Sequence, residues 1–388
     1  MNRFRDLLLS LLVAMVALSS CRKEEEIIPS SRVRVGVPGR PGKIKGFFLL
    51  NEANMGSNKA TLDYYDYTTA FYTRNIYAER NPNVVKELGD VGNDLQIHGS
   101  RLYAVINVSG LIEVMDVRTA KHIGKLSIPN CRYIAFKDGF AYVSSYAGPV
   151  KIDPNARLGY VAKVDTATLK VVAECPVGYQ PEELLIQGDK LYVANSGGYR
   201  APNYDKTISI IDLKTFTEEK QVDVAINLHR LQLDNYGKIW ASSRGDYKGV
   251  PSRLFVFDPK TERVTKTLEV GCSNMALSGD SLFVYSSEWS YLTGKNTISY
   301  TVIDTKKQEV IDRNFIKDGT DKEIQLPYGL AINSEQGELY LTDAQDYVHP
   351  GQLHCYDLKT GRRKWSVKTG DIPAHIAFTT QPLHPLHH

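Results

Sequence analysis

Hydrophobic and polar residues alternate along most of this chain in short segments, and about four such segments form a unit that recurs. In the fourth unit the segments lie at 183–186, 191–194, 208–211 and 220–224, with the turn sequence Gly188-Asp189 after the first. Alternation with a period of two predicts β-strands. A repeated unit of four short strands over about 40–50 residues is typical of a β-propeller blade.

An aspartate closes the third predicted strand of every unit. The aspartates recur at intervals of 46 to 53 residues, and they are Asp66, Asp116, Asp165, Asp212, Asp258, Asp304 and Asp357. An aspartate in this position accepts hydrogen bonds from backbone N–H groups of the following turn, so we interpret all seven as structural. Seven copies predict an all-β fold, a seven-bladed β-propeller with four-stranded blades.

The two ends of the repeat predict how the ring closes. Residues 373–378 resemble the innermost strand at 132–136, but no further strands of a blade follow them. The N-terminal unit begins with a second strand at Phe47 and lacks an innermost one. We therefore expect the C-terminal strand to join the N-terminal blade, which leaves no open sheet edge. The propeller is predicted to span residues 44–380, followed by a loose tail at 381–388.

The N-terminus has the pattern of an export signal. Arg3 and Arg5 precede an apolar run at residues 7–18, which is shorter than the about 20 residues that a membrane-spanning helix needs. The run ends in Leu-Ser-Ser and Cys21, which looks like the lipobox of bacterial lipoproteins. We predict a signal peptide at 1–20, lipid attachment at Cys21 and a flexible stalk at 21–43. An ordinary secretory signal is the alternative.

The charged segment Arg22-Lys23-Glu24-Glu25-Glu26 follows the predicted lipid anchor. One interpretation is a solvated tether, because a charge-rich run does not pack. It also resembles the acidic export signal of Bacteroidetes lipoproteins displayed on the cell surface. We therefore expect the protein at the outer membrane, lipid-anchored and exposed on the cell surface, with the lipid as its contact to the membrane.

Charge and cysteine spacing exclude several function classes. The net charge is +3 and no basic cluster with interleaved aromatic residues is present, which argues against a nucleic-acid partner. The remaining cysteines have no short spacing that would indicate a zinc site or haem attachment. We interpret these cysteines as buried free thiols, with pairing in an oxidising compartment as the alternative; they are Cys131, Cys175, Cys272 and Cys355.

Six of the loops between the second and third predicted strands are long, and in a propeller these loops gather at one mouth. They span residues 51–61, 144–160, 195–207, 242–252, 286–297 and 343–352. Tyrosine and tryptophan are enriched at recognition sites, so we predict a ligand-binding face there, although each aromatic residue could instead pack its own loop. The candidate ligand-binding residues are Asn54, Tyr146, Tyr199, Tyr204, Arg244, Tyr247, Trp289, Tyr291 and Tyr347.

Catalysis has weaker support than binding. A metal-dependent lactonase or another hydrolase could use carboxylates near the mouth, namely Glu52, Glu182, Glu183, Asp246, Glu288, Asp343 and Asp346. The chain contains neither a Gly-x-Ser-x-Gly nor a His-Glu-x-x-His motif. We therefore predict no enzyme, no catalytic residue and no cofactor, with a structural calcium ion at most. His98, His229 and His375 near the innermost strands are interpreted as structural.

Several sequence motifs resemble those of one known family. They are Asn-Glu-Ala-Asn-Met-Gly-Ser at 51–57 ahead of Leu-Asp-Tyr-Tyr-Asp at 62–66, Leu-Gly-Asp-Val-Gly-Asn-Asp at 88–94, Tyr-Gly-Leu-Ala at 328–331 and Gly-Glu-Leu-Tyr-Leu-Thr-Asp-Ala at 337–344. Together they resemble the YncE-like propeller lipoproteins of Bacteroidetes, and in particular the BtuG-type proteins. The resemblance runs over nearly the whole chain after the predicted signal peptide.

The resemblance implies capture of vitamin B12 (cobalamin) or a related corrinoid and its transfer to a TonB-dependent outer-membrane transporter. A corrinoid is a broad disc with apolar edges and a rim of amides, which suits aromatic faces together with Asn and Arg side chains. At residues 51–55 the sequence departs from the pattern expected of the family, which has a second glycine and an aromatic residue there. A glycan, a siderophore or haem therefore stays open as an alternative cargo.

Overall fold

The computed structural model describes residues 29–84 and 87–385 and contains seven antiparallel sheets. Six sheets have four strands in consecutive chain order, and the seventh has five strands from both ends of the chain. Each sheet is one blade, and successive blades stack face to face in a ring. The fold predicted from the repeat, a seven-bladed β-propeller, is confirmed.

Blades 1 to 4 contain the following elements. Blade 1 consists of β1 (Ser31–Arg34), β2 (Gly46–Asn51), β3 (Thr61–Asp66), β4 (Phe71–Arg74) and β29 (Pro373–Thr379), and the helix α1 (Ile76–Arg80) follows β4. Blade 2 consists of β5 (Gly92–His98), β6 (Arg101–Ile106), β7 (Leu111–Asp116) and β8 (His122–Ser127). Blade 3 consists of β9 (Cys131–Lys137), β10 (Phe140–Ser145), β11 (Tyr160–Asp165) and β12 (Lys170–Pro176). Blade 4 consists of β13 (Pro181–Gln187), β14 (Lys190–Asn195), β15 (Thr207–Asp212) and β16 (Thr217–Asp223), with a 3-10 helix at Gly198–Arg200.

Blades 5 to 7 complete the ring. Blade 5 consists of β17 (Leu228–Leu233), β18 (Ile239–Ser243), β19 (Arg253–Asp258) and β20 (Arg263–Leu268). Blade 6 consists of β21 (Asn274–Ser278), β22 (Ser281–Ser290), β23 (Lys295–Asp304) and β24 (Glu309–Asp312). Blade 7 consists of β25 (Pro327–Asn333), β26 (Glu338–Asp343), β27 (Pro350–Asp357) and β28 (Arg363–Asp371), preceded by a 3-10 helix at Thr320–Glu323.

The hydrophobic core lies between blades, because a single blade cannot cover its own apolar faces. Between blades 5 and 6, for example, the fully buried Trp240 belongs to one cluster with Leu254, Cys272 and Leu282. The second strands are the most buried, whereas the outermost strands alternate, as in the largely exposed β16. The innermost strands line the central channel and begin at the face where the long loops lie, which is called the mouth below.

The ring closes as the sequence predicts. The C-terminal strand β29 pairs with β2 in an antiparallel register that sets Phe47 opposite Phe378. Phe47 is fully buried and packs edge-to-face on Phe378, with ring centroids 5.8 Å apart. Blade 1 thus takes its innermost strand from the C-terminus, and the hydrogen-bonding edge of β2 is covered.

The predicted flexible stalk at 21–43 is wrong for its described part from residue 31 onwards. β1 pairs with β4 as a fifth, outer strand of blade 1. The chain then crosses below the blade, where the backbone N–H groups of Lys43 and Ile44 donate to the Glu335 carboxylate at 2.7 and 2.8 Å. The Pro-, Gly- and Arg-rich composition indicated a tether, but the exposed edge of β4 offers backbone partners that composition does not reveal.

The predicted loose tail at 381–388 is also wrong for its described part. The backbone N–H of His384 donates to the carbonyl of Arg118 at 2.7 Å, and the Leu383 N–H donates to the Tyr64 hydroxyl at 3.3 Å. The Leu383 side chain packs against the core cluster between blades 1 and 2. Of the three tail histidines, His387 and His388 lie outside the described residues, together with the predicted signal peptide and the lipid-attachment residue Cys21.

The repeated aspartates have the predicted turn role. Asp165 accepts hydrogen bonds from the backbone N–H groups of Ala167 and Thr168 at 3.0 and 2.8 Å, and Asp357 does the same for Lys359 and Thr360. These bonds hold the turn between the third and fourth strands. Among the described residues, no helix is long and apolar enough to span a bilayer.

The four cysteines that the structure describes are free and buried, which confirms the interpretation as thiols. Burial raises the pKa of Cys131 and of Cys272 to about 12, so little reactive thiolate forms at neutral pH. We expect a maleimide reagent to leave these four cysteines unlabelled in the native protein and to label all four in 6 M guanidinium, as read by peptide mass spectrometry. Rapid native labelling of Cys272 would contradict the packing described between blades 5 and 6.

Candidate functional site

The mouth of the propeller opens into a cavity of about 870 Å³ at the top of the central channel. Two kinds of segment form it. The first residues of the innermost strands supply the floor, and the segments that follow the second strands supply the rim. Because β9, β17 and β25 start at this face, their first residues lie in the cavity floor; these residues are Arg132, Tyr133, His229, Arg230 and Tyr328.

Six of the nine predicted binding residues line this cavity, namely Asn54, Tyr199, Arg244, Tyr247, Trp289 and Tyr347. The other three lie elsewhere. Tyr146 is buried beneath the floor, where it contacts two of the floor residues. Tyr291 lies at the outer edge of the rim and is 67% exposed. Tyr204 lines a smaller neighbouring recess together with Pro202 and Lys248.

Aromatic residues form the rim in edge-to-face pairs. Tyr247 pairs with Tyr291 at a centroid distance of 6.2 Å, and Tyr328 pairs with Tyr347 at 6.0 Å. A hydrogen bond from the Asn54 side-chain amide to the Tyr347 carbonyl ties the rims of blades 1 and 7 together. The Tyr247–Tyr291 pair joins the rims of blades 5 and 6, so the alternative that each aromatic residue packs only its own loop is wrong for this pair. Tyr347 instead packs on the floor residue Tyr328 of its own blade.

A long hairpin gives blade 6 the most prominent part of the rim. β22 and β23 pair without interruption from Ser281 opposite Asp304 to Ser290 opposite Lys295. Each strand has ten residues, two to five more than the second and third strands of the other blades, so the tip of the hairpin extends past the mouth. Trp289 near the tip lines the cavity and is 46% exposed, which leaves an aromatic face accessible from solvent.

Two tyrosines of the rim have a strained backbone conformation. Tyr247 and Tyr347 both have a positive φ, 60° and 65°, in the left-handed region that bulky residues rarely occupy. Such residues cost on the order of 1 kcal/mol and cluster at binding sites. Here the conformation turns both tyrosines towards the mouth, where both line the cavity.

The buried carboxylate of Glu182 pairs with two of the arginines that line the cavity. Glu182 accepts hydrogen bonds from Arg132 at 3.0 Å and from Arg244 at 3.1 Å, and the Tyr146 hydroxyl also donates to it. The Glu182 side chain is fully buried. Burial disfavours the charged carboxylate, but the two guanidinium groups outweigh this and lower the pKa of Glu182 below its ordinary value.

A second group of floor residues centres on Arg230. Its guanidinium lies 3.7 Å from the Glu183 carboxylate and above the Tyr133 ring at 5.2 Å. The Tyr133 hydroxyl forms a 2.9 Å hydrogen bond with Nε2 of His229. Burial, and then the nearby arginines, lower the pKa of His229 well below its ordinary value, so this imidazole is neutral at physiological pH.

A third polar group spans blades 1 and 7. Glu52 accepts hydrogen bonds from the Tyr328 hydroxyl at 2.7 Å and lies 3.0 Å from Nε2 of His375. Each of the two histidines near the mouth that were interpreted as structural has one such contact, His229 with Tyr133 and His375 with Glu52, whereas Nδ1 of His229 has no partner among the described residues. His98 lies at the opposite end of the channel, where it stacks on Phe136 with a centroid distance of 4.6 Å.

Two further mouth carboxylates are engaged by backbone groups nearby. Asp343 accepts the backbone N–H groups of Leu326 and Gln345, at 2.8 and 2.9 Å, and Asp246 accepts three backbone N–H groups of its own loop. Within residues 29–84 and 87–385, no group of three or more His, Cys, Asp and Glu side chains is arranged to hold a metal ion.

Several floor residues were absent from the predicted set, above all Arg132, Arg230, Tyr133 and Tyr328. Their signal was present in the repeat. The second and third residues of the innermost strands differ between blades, reading Arg-Tyr at 132–133, Glu-Glu at 182–183 and His-Arg at 229–230, whereas the apolar residues after them recur. Variation at matching positions indicates the channel floor as clearly as loop length indicates the rim.

Comparison with known proteins identifies a family but no activity. A family model described as "Domain of unknown function (DUF5074)" matches residues 45–379, nearly the whole propeller. No curated protein matches the sequence.

Solved structures share the propeller architecture at low sequence identity. Hydrazine synthase of Kuenenia stuttgartiensis is 18% identical, with 69% of this chain and 77% of that chain covered and a TM-score of 0.54. Apo AztD from Citrobacter koseri is 11% identical, with 86% and 97% covered and a TM-score of 0.52. The Pan2 WD40 domain of Neurospora crassa is 13% identical, with 75% and 80% covered and a TM-score of 0.50. At such identities the likeness concerns the fold alone.

Proposed function

We propose that this chain, which belongs to the DUF5074 family of proteins, binds a broad amphipathic small molecule in the mouth of its propeller and releases it unchanged. The observation that carries the proposal is the open cavity of about 870 Å³, which combines an exposed aromatic rim with a charged floor. Small-molecule sites are typically concave, with volumes of about 300–1,000 Å³, apolar walls and a few convergent polar groups. The cavity has this concave shape and volume, with aromatic rings at its rim, and its floor is more highly charged than that of a typical small-molecule site.

Three carboxylates at the mouth support binding rather than hydrolysis, whereas Glu288 in the cavity lining accepts a hydrogen bond, from Ser286, on one oxygen only. Glu182 is held by two arginines, Glu52 by Tyr328 and His375, and Asp343 by backbone N–H groups. A general acid, a general base or a metal ligand would need a carboxylate oxygen free to meet substrate or metal. The proposed role is therefore that of a binding protein without an enzymatic step.

A corrinoid is the ligand class that we favour. The rim faces of Tyr247, Trp289 and Tyr347 suit the apolar edges of a broad disc, and the amides around such a disc suit the arginines and tyrosine hydroxyls of the floor. The resemblance to BtuG-type, YncE-like lipoproteins supports the same ligand. A glycan, a siderophore or haem is the alternative cargo.

The same resemblance supports a surface lipoprotein, anchored through Cys21, that transfers its cargo to a TonB-dependent outer-membrane transporter. The position of Ser30 adds a geometric argument. Its hydroxyl donates to Glu79 in α1, and β1 starts opposite the end of β4, so this point of the chain lies on the mouth side of blade 1. Nine residues from Cys21 to Ser30 reach at most roughly 30 Å. A lipid on Cys21 would hold the mouth side of blade 1 close to the membrane, where a transporter could receive the cargo.

Calorimetric titration of the purified full chain with cyanocobalamin tests the proposal. We expect saturable binding, and we expect Trp289→Ala to weaken it by about 2 kcal/mol, roughly thirtyfold in Kd, because a large exposed ring at the rim is removed. Tyr236→Ala is the matched control, since Tyr236 is a similarly exposed aromatic residue (44%) in a turn on the opposite face. Its affinity should equal that of the wild type.

Two outcomes would count against the proposal. An affinity weaker than millimolar for cyanocobalamin would exclude the corrinoid, and parallel titrations with haem, a ferric siderophore and an oligosaccharide would then identify the class of cargo. If none of these ligands produced saturable heat, the binding role itself would be wrong. Equal losses in Trp289→Ala and Tyr236→Ala would mean that binding occurs away from the mouth.

A further inference from the structure

We propose that Arg230 in the cavity floor is a subsite for an oxyanion of the ligand, a carboxylate or a phosphate ester. The inference rests on the proposed binding role of the mouth and specifies one chemical group that the ligand carries. Three arginines line the cavity. The side chains of two of them donate hydrogen bonds to a carboxylate, and the side chain of the third does not.

Arg132 and Arg244 both donate to Glu182, so one carboxylate organises both guanidinium groups. Arg230 has no equivalent acceptor. Within the described part of the chain its Nε is buried without a hydrogen-bond partner, and its nearest carboxylate oxygen, on Glu183, lies at 3.7 Å, beyond hydrogen-bond distance. A guanidinium has five N–H donors in a planar fork, so most of the donor capacity of Arg230 is unused.

The carboxylates near Arg230 are committed to other donors. Glu183 accepts the backbone N–H of Leu231 at 2.7 Å, and burial raises its pKa, which weakens it as a counter-ion. Asp94 accepts the backbone N–H groups of Leu95 and Ile134 at 2.8 and 3.0 Å. Neither carboxylate therefore satisfies the guanidinium, although Glu183 lies on the neighbouring innermost strand β13 and Asp94 on the innermost strand β5 of blade 2.

The surroundings of Arg230 suit a bound anion. Its side chain is only 13% exposed, so the site excludes much of the water that would weaken an ion pair. His229 also lines the cavity and is buried, and its Nδ1 has no hydrogen-bond partner among the described residues. If the Tyr133 hydroxyl donates to Nε2, the neutral imidazole carries its N–H at Nδ1, a buried atom without a protein acceptor among the described residues.

A planar guanidinium pairs with carboxylate and phosphate oxygens through two parallel hydrogen bonds. A carboxylate and a phosphate ester both fit this geometry, and different ligands carry them. A corrinoid that carries a nucleotide tail presents one phosphodiester, whereas haem or a carboxylate-type siderophore presents carboxylates. The subsite therefore distinguishes anionic members of a ligand class from neutral ones, while the aromatic rim accepts either.

The test uses the purified full chain and inorganic phosphate as the probe, titrated by calorimetry at pH 7 in low salt, with citrate as the carboxylate probe. We expect saturable binding of at least one probe and a loss of affinity of roughly tenfold or more in Arg230→Gln. Arg230→Lys keeps the charge but lacks the fork, and we expect an intermediate loss. Arg263→Gln is the matched control, because it makes the same chemical change at an exposed position of β20 in the same blade, at the face opposite the mouth, and should change affinity by less than twofold.

Failure of the subsite and failure of the binding role are distinguishable. If cyanocobalamin binds but neither phosphate nor citrate does, the oxyanion subsite is wrong and the mouth remains a binding site. If a probe binds equally to the wild type and to folded Arg230→Gln, the site lies elsewhere and the inference is overturned. If Arg230→Gln does not fold, Arg230→Lys carries the test, and undiminished affinity in that variant overturns the bidentate contact. Arg230-dependent phosphate binding without cyanocobalamin binding would support the subsite and exclude the corrinoid.

Discussion

Replacement of Glu182 by glutamine is expected to destabilise the protein by about 3–5 kcal/mol, because it leaves two arginines without their buried counter-ion. The carboxylate accepts hydrogen bonds from Arg132 and Arg244 and has no exposed surface of its own. Glutamine has almost the same shape, so the loss reports charge and hydrogen bonding rather than a cavity. Urea unfolding at pH 7, followed by far-UV circular dichroism, measures the free energy of unfolding.

Glu183→Gln is the matched control, since it makes the same chemical change at the adjacent position of β13. Its carboxylate lies 3.7 Å from Arg230, and burial already raises its pKa, so neutralising it removes less favourable energy. We expect a loss well below that of Glu182→Gln. Equal losses in the two variants would mean that the arginine pair does not depend on Glu182.

The same contacts predict a pH dependence. The pKa of Glu182 is lower in the folded state than in the unfolded chain, so its stabilising contribution is complete above the unfolded pKa, about 4.3, and is lost as the pH falls through the folded pKa. The difference in stability between the wild type and Glu182→Gln should therefore be constant near neutral pH and shrink in acid. Burial raises the folded-state pKa of Glu183, so its pH dependence has the opposite sign. The stability of the wild type relative to Glu183→Gln should rise as the pH falls.

Deletion of the C-terminal strand is the second large effect that we expect. A chain ending at Asp371 lacks β29, which exposes the edge of β2 and removes Ile376 and Phe378 from the core cluster at blade 1. Backbone hydrogen bonds contribute about 1 kcal/mol each, and a domain has about 5–15 kcal/mol in total, so losing a whole innermost strand approaches the full stability. We expect no cooperative thermal transition and self-association in size-exclusion chromatography.

A chain ending at Thr380 separates ring closure from the docked tail. It keeps β29 and loses only residues 381–388, whose described part contacts blades 1 and 2 through Leu383 and His384. We expect this variant to remain a monomer with a cooperative transition and a modestly lower Tm. A cooperative, monomeric chain ending at Asp371 would show that the ring does not need its C-terminal strand.

The fold could be predicted because the interactions that define a blade are local. The alternating segments and the turns closed by Asp165 or Asp357 depend on residues that are close together in the chain, and the units follow one another in order. The missing innermost strand of the first unit, together with the surplus strand at 373–378, also made ring closure predictable. The errors concern residues 31–43 and the tail, whose partners lie on other strands and turns distant in the chain. Examples are the Glu335 carboxylate for Lys43 and the Arg118 carbonyl for His384.

The residues of the site were likewise only partly predictable from the sequence. Loop length and aromatic content predicted the rim, and six of the nine predicted residues line the cavity. Tyr146, in contrast, is aromatic and lies in a long loop, yet it is buried as a support for Glu182. Whether a tyrosine faces solvent or a buried carboxylate depends on the neighbouring blade, and no pattern within its own loop contains that information.

The sequence by itself determined the repeat, its number, the closing strand and the face on which the long loops gather, because periodicity and turn chemistry act between near neighbours. Only the tertiary structure decided which polar residues of the innermost strands meet. Arg132, Glu182 and Arg244 come from three successive blades, and Arg230 lacks the acceptor that the other two arginines share. Charge pairing in a closed ring depends on distances of a few ångströms between residues about 50 positions apart, and those distances exist only once the blades have packed.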